Sequence, residues 1–174
     1  MNSLDLFFAR RSVRKFTGKS IDQELLEKLL AAAMSAPSAC AKDPWRFIVV
    51  EDPERLKAVA DGLPNGKFLT DAAAGIIVCG DLERAHGGEL SYLLQDCSAA
   101  MENLLLAASL SGLGGCWLGV HPREDRVAHL RRLFSLPSTI LPVGIAALGY
   151  PAENPPSRNR ATSAYITWDT QRQR

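Results

Sequence analysis

The residues best equipped for chemistry stand near the start of the chain, in Arg10-Arg11-Ser12-Val13-Arg14-Lys15, where four cations and a hydroxyl fall within six residues. An apolar segment (Leu4, Leu6, Phe7, Phe8) leads into them. Side chains alternate along an extended run, which puts Arg10, Ser12 and Arg14 on one face. Two guanidiniums flanking a hydroxyl offer convergent donors, a set that suits a phosphate monoester better than a single carboxylate. Taken alone, the run reads first as a solvated basic turn, the usual state of a cluster of charges. A second anion candidate, Arg158 with Arg160, lies near the far end of the chain. Between the two stand a Pro37-Ser38 loop and a glycine-lined strand end. A ligand with a phosphate, a polar middle and a large flat ring would use all of these.

Other chemistries find less support. No G-x-S-x-G elbow is present, and His86, His121 and His129 lie far in sequence from any nucleophile. His129 falls inside an amphipathic helix and reads as structural, whereas His121, just beyond Gly119, is a candidate substrate contact. The cysteines at 40, 79, 97 and 116 form no C-x-x-C pair, so a zinc site is not expected. Their apolar neighbours predict buried, reduced thiols and a reducing compartment. Gly66-Lys67 has the wrong glycine spacing for a phosphate-binding loop. Gly112, Gly114 and Gly115 follow a helix and enter a strand, the reverse of the dinucleotide fingerprint. A helix C-cap accounts for Gly112 and Gly114. It leaves Gly119 as a place where backbone could closely approach a flat ligand.

The chain has 174 residues, 47% hydrophobic and 22% charged, with a net charge of +1. That is the size of one domain, residues 1–174, with no charge excess to support nucleic-acid binding. The most apolar stretch, Tyr92 to Leu110, is broken by Asp96, Glu102 and Asn103, which argues against a membrane span. No apolar signal segment follows Met1. The expected location is the cytoplasm.

The elements that must position these residues follow from periodicity and punctuation. Ser3 can cap a helix from Leu4 to Arg10. Asp22 is expected to cap a helix from Gln23 to Ser35 with leucines at helical spacing, stopped by Pro37. A strand is expected at Trp45–Val50, a helix from Pro53 to Asp61 and a strand at Gly75–Gly80. A short connection spans residues 81–91. The helix Leu90–Ser111 is apolar on nearly every side, which requires burial within the body or against a second copy. A strand at Cys116–Leu118 runs into Gly119, a helix covers Pro122–Phe134, and a strand covers Ile140–Leu148 with Pro142 near its start or at a bulge. From Pro151 a semi-extended arm (151–174) leads to Tyr165-Ile166-Thr167-Trp168, which reads as a strand in need of a partner. The fold class is α+β, with helices around one mixed sheet.

In order, Arg10-Arg11-Ser12-Val13-Arg14, Ala36-Pro37-Ser38 with Pro44-Trp45-Arg46-Phe47, Asn103–Ala108, Gly112–Gly119, and Leu148–Pro151 with Arg158 and Arg160 resemble the nitroreductase family of FMN-dependent oxidoreductases across nearly the whole chain. The resemblance implies a mixed, mainly antiparallel sheet surrounded by helices. It implies a homodimer with the C-terminal arm exchanged and FMN at the subunit interface. Arg10, Arg11 and Ser12 match residues that hold the FMN phosphate and ribityl chain, with Arg158 and Arg160 completing the phosphate cage. Arg14 matches a cation near N1 and O2 of the ring, where positive charge favours the reduced flavin. Pro37, Ser38 and Ala39 would line the flavin from the other subunit, and the Gly119 amide would face N5 beside Trp117 and Leu118. The implied reaction is ping-pong hydride transfer from NADH or NADPH through FMN to a small oxidant such as a nitroaromatic or quinone, with no catalytic side chain of its own. The alternatives are FMN binding without turnover, or a branch devoted to flavin fragmentation or dehalogenation. Two departures are visible: Ala41 and Asp43 stand where the family usually has Asn and Gln. The short 81–91 connection also lacks the inserted helices that cover the flavin in larger members.

Overall fold

The computed structural model describes residues 4–169. Its sheet is built from the segments richest in β-branched and small apolar residues. These are β1 (Trp45–Val50), β2 (Ala74–Asp81), β3 (Gly114–Gly119) and β4 (Ile140–Gly149), in the order β1-β2-β4-β3 with every ladder antiparallel. The parallel element anticipated by a mixed sheet is reduced to one bridge, Ser12 to Gly115. Central strands β2 and β4 are buried along nearly their whole length, so they read as continuous apolar runs rather than alternations. Pro142 sits where the register slips. Val78 pairs with Gly144 and Cys79 with Pro142, leaving Val143 as the extra residue of a bulge. A residue without an N–H is tolerated at such a position.

The helices are α1 (Asp5–Ala9), α2 (Gln23–Met34), α3 (Pro53–Asp61), α4 (Leu90–Leu110) and α5 (Glu124–Phe134). The Asp52 carboxylate accepts the Arg55 N–H at 2.9 Å and caps α3 behind Pro53. The expected cap Ser3 lies outside the described residues, and Asp22 takes the cap position of α2 in extended backbone without a side-chain cap hydrogen bond. Helix α4 packs on α2 and on all four strands, burying Leu93, Cys97, Met101, Leu104 and Ala108. It is not buried all round. Leu110 is 69% exposed, and Leu94, Leu106 and Ala107 are half-covered. One face meets the core, while Leu110 and the half-covered side chains leave apolar surface open among the described residues.

Two further expectations are corrected. Tyr165–Trp168 forms no strand. Ser163–Tyr165 is a turn closed by Thr162, and Tyr165, Ile166 and Trp168 are 88%, 52% and 77% exposed. A strand exists only against a ladder partner, and the segment meets neither sheet edge of its own chain. Of the thiols, Cys79, Cys97 and Cys116 are buried and free, but Cys40 is exposed on a loop. Burial pushes the Cys79 and Cys97 thiols up to about 12, which makes them poor nucleophiles. Among the described residues no helix is long and apolar enough to cross a membrane.

Candidate functional site

The glycines at the start of β3 explain how the basic run is held. Gly112, at φ +76, ends α4 in a left-handed turn. A Cβ on Gly114 would lie 2.7 Å from Val13 Cγ1, and one on Gly115 would press at 3.0 Å on Leu105 and Leu148. These two glycines therefore admit neighbouring side chains rather than a ligand. Val13 is buried over Gly114, and its N–H donates to the Gly115 carbonyl at 3.0 Å. The bare backbone is the bed on which Arg10–Arg14 lies.

The arm then runs antiparallel beside this segment. The Thr17 N–H donates to the Tyr150 carbonyl (2.9 Å) and the Ala152 N–H to Lys15 (2.8 Å). The Arg14 N–H donates to Glu153 Oε1 at 2.7 Å and the Arg158 N–H to the Phe8 carbonyl at 3.3 Å. Arg11 also donates to the Pro156 carbonyl. The result is a cleft of about 320 Å³ lined by Phe7, Phe8, Arg10, Arg11, Ser12, Arg158, Asn159, Arg160 and Ala161. The two basic clusters, about 150 residues apart in sequence, thus share one wall-to-wall site. Four guanidiniums around so small a space repel one another, so a bound dianion would relieve the arrangement. Glu102 on α4 supplies a counter-charge, its Oε1 3.2 Å from Arg10 Nε. That contact engages the Nε edge of the guanidinium.

Arg14 stands apart. It does not line the cleft; its guanidinium lies 5.9 Å from the Phe68 ring centre. Arg11 instead joins Arg10 and Ser12, because a run tied to β3 by a single bridge does not keep strict alternation. Beneath it, burial raises the Cys116 thiol, an effect opposed by Arg14 and by a hydrogen bond with Ser12. Farther along β3, Trp117 is 38% exposed and lies across Gly144, where a Cβ would come within 2.4 Å of its Nε1. Leu118 is buried. Gly119 differs from the other β3 glycines, since a Cβ there would meet nothing within 4 Å. Its carbonyl accepts Arg126 Nη1 at 2.6 Å.

Pro37, Ser38 and Ala39 lie elsewhere, along a recess of about 300 Å³ shared with Tyr92, Gln95, Asp96 and Ala99. The loop that follows is strained: Cys40, Ala41 and Asp43 have φ of 51°, 51° and 48°, each costing on the order of 1–2 kcal/mol for a non-glycine residue. Ala41 occupies a left-handed position that Asn would tolerate better. Two carboxylates hold the loop. Asp96, 5% exposed, accepts the Ala39 N–H at 2.9 Å, while its buried Oδ2 has no hydrogen bond. Asp43 Oδ1 accepts the Ser38 hydroxyl at 2.5 Å, and the Asp43 N–H donates back to Ser38 Oγ at 3.0 Å. His121 lines a different cleft of about 730 Å³ with Val127, Arg131 and Leu141, away from the basic site. His129 is structural, its Nε2 2.8 Å from the Ala58 carbonyl.

Glu102, Asp96, Phe68, Glu153, Asn159 and Arg126 were not anticipated as site residues. The available signal was compositional: Asp96 and Glu102 are acids inside an otherwise apolar helix, a placement that usually needs a partner.

Comparison with known proteins identifies the family and the fold. The sequence profile described as "Nitroreductase family" matches residues 8–63 and 57–150. A protein of Methanothermobacter thermautotrophicus, provisionally named an NADH dehydrogenase/NAD(P)H nitroreductase, is 46% identical over 161 residues, covering 91% of this chain and 82% of the relative. A crystal structure with the same provisional name from Parabacteroides distasonis superposes with a TM-score of 0.91 at 35% identity, covering 98% and 99% of the two chains. A provisionally assigned nitroreductase from Desulfovibrio desulfuricans, solved in complex with FMN, gives a TM-score of 0.85 at 27% identity over 98% of both chains. The shared sheet, the basic run bedded on β3 and the match along most of both sequences lead to one assignment: the chain belongs to the nitroreductase family.

Proposed function

We propose that this protein is an FMN-dependent NAD(P)H oxidoreductase working as a cytoplasmic homodimer on small oxidants such as nitroaromatics or quinones. The observation that carries this reading is the convergence of Arg10, Arg11, Ser12, Arg158 and Arg160 on one cleft. Its donor set fits a phosphate monoester, with guanidinium forks for the charged oxygens and a hydroxyl for an ester or ribityl oxygen. Bound FMN would supply hydride transfer between NADH or NADPH and the oxidant, in ping-pong order.

The chain's own residues bind and orient. Arg10, Arg11, Arg158 and Arg160 would anchor the phosphate, and the Ser12 hydroxyl would hold an ester or ribityl oxygen. Arg14, outside the cleft, brings positive charge to the ring. Gly119 presents backbone where no side chain intervenes, with Trp117 and Leu118 packed beside it. Pro37, Ser38 and Ala39 do not reach the basic cleft of their own chain, so in this reading they come from the second subunit. Exposed Phe7, Phe8, Leu110 and Trp168 supply apolar surface for that contact. Residues 1–174 act as one domain whose arm (151–174) lies along its own basic run as far as Ala161 and, in this reading, reaches the partner beyond that point.

Riboflavin, which lacks only the phosphate, provides the test. Charge-assisted contacts are worth about 1.5–3 kcal/mol each, and two or more of them predict binding of FMN at least a hundredfold tighter than riboflavin. Equal affinities in a fluorescence titration of apoprotein would remove the basis for the assignment. A second reading, FMN binding without turnover, draws on Asp43, which sets a negative charge where a neutral amide is usual. It is separated from the first by the reduction experiment described below.

A further inference from the structure

We infer that Glu102 is a specificity-determining residue of the basic cleft: its carboxylate, paired with Arg10, limits the positive charge offered to a ligand and tilts the site toward a phosphate monoester and away from polyphosphates. This rests on the proposed function, in which the cleft holds the phosphate of FMN.

Glu102 lies on α4, its Oε1 3.2 Å from Arg10 Nε, with the side chains of Arg10 and Glu102 31% and 44% exposed. Arg10 also stands in the wall of the cleft beside Arg11, Ser12, Arg158 and Arg160. Glu102 is not part of that wall, so it acts on a ligand through its charge rather than by contact. Glu153 runs beside the same segment, but its Oε1 takes the Arg14 N–H.

Four guanidiniums around about 320 Å³ would suit any polyphosphate, because each added anionic oxygen finds a further donor. A fixed carboxylate on one of them changes the balance. Its repulsion grows in proportion to the charge the ligand brings. A neutral ligand feels none of it, a phosphate monoester feels a moderate share, and a polyphosphate feels the most. The pair is partly exposed, so the effect is that of one screened charge and shrinks as salt rises.

Position and charge can be separated. Glu102→Gln keeps an oxygen to accept from Arg10 Nε and removes the charge; Glu102→Ala gives up both. Three probes of increasing charge report on them at low ionic strength: riboflavin and FMN by fluorescence titration of apoprotein, and inorganic triphosphate by its displacement of FMN. Glu102→Gln is expected to leave riboflavin affinity as in wild type and to raise FMN affinity about threefold, the scale of one partly exposed charge pair. Triphosphate should gain more than FMN does. Glu102→Ala should give the same ordering of the three probes at a lower overall affinity. Equal gains for riboflavin and FMN would mean that the substitution only reshapes the site. That result, an FMN affinity not raised by Glu102→Gln, or a triphosphate gain no larger than that of FMN overturns the inference while leaving the FMN assignment standing. Wild-type protein that binds FMN no better than riboflavin overturns the assignment and this inference with it.

Discussion

Arg10 answers two demands, with Nε paired to Glu102 Oε1 at 3.2 Å and the residue itself lining the basic cleft. Both side chains are partly exposed, so the ion pair contributes little stability by itself; its value is in holding the fork at a fixed angle. Arg10→Ala should lower FMN affinity roughly ten- to a hundredfold, the loss of one charge-assisted contact, as read by fluorescence titration of apoprotein. Unchanged affinity would return Arg10 to a solvated arginine paired with Glu102. The sequence made the cationic cluster legible but not its membership. Arg10 and Ser12 are where alternation puts them, whereas Arg11 enters the cleft and Arg14 leaves it for Phe68. Period-two reasoning presumes a regular strand, and this run has only one bridge to the sheet. Asp96 and Glu102 were visible as acids in an apolar helix, yet a partner such as the Ala39 amide depends on chain folding that no local pattern encodes.

At the scale of elements, β3 and the arm assemble the site that the basic run alone could not make. Gly114 is the hinge of that assembly because Val13 fills the place of its missing side chain. Gly114→Val should lift Arg10–Arg14 off the sheet. The expected cost is about 1–3 kcal/mol, typical of overpacking, together with weaker FMN binding. Gly119→Ala, whose Cβ meets open space, should leave the melting temperature unchanged. Equal melting temperatures for the two variants would show that the bed plays no part in docking the run. The helices and the four strands were legible because each has its own period or apolar run. The arm was legible only as a change in composition. Its course beside residues 8–17 rests on backbone pairing, which carries no side-chain signature, and the strand expected at Tyr165–Trp168 failed because a ladder needs a partner the chain does not provide.

At the scale of the whole molecule, the cationic cleft and the Pro37–Asp43 loop lie in separate recesses of one chain, while α4 and the arm leave apolar side chains uncovered. A second copy that covers those surfaces and brings the loop to the cleft would complete a flavin site from two incomplete halves. In such a site the protein contributes position and field rather than a proton-transfer group, in keeping with three histidines that sit away from the cleft. The resemblance to the nitroreductase family was readable because its short motifs recur in order along nearly the whole chain. The Ser38–Asp43 ring was not, since it closes only when three residues adopt left-handed backbone. The central claim is that FMN held by the basic cleft takes electrons from a nicotinamide nucleotide. The measurement that tests it most directly is anaerobic addition of NADH or NADPH to the FMN-loaded protein, followed by absorbance and then by readmission of a quinone. The flavin band should bleach with at least one of the two nucleotides and return with the quinone; a flavin that stays bound and oxidised with both would contradict the claim.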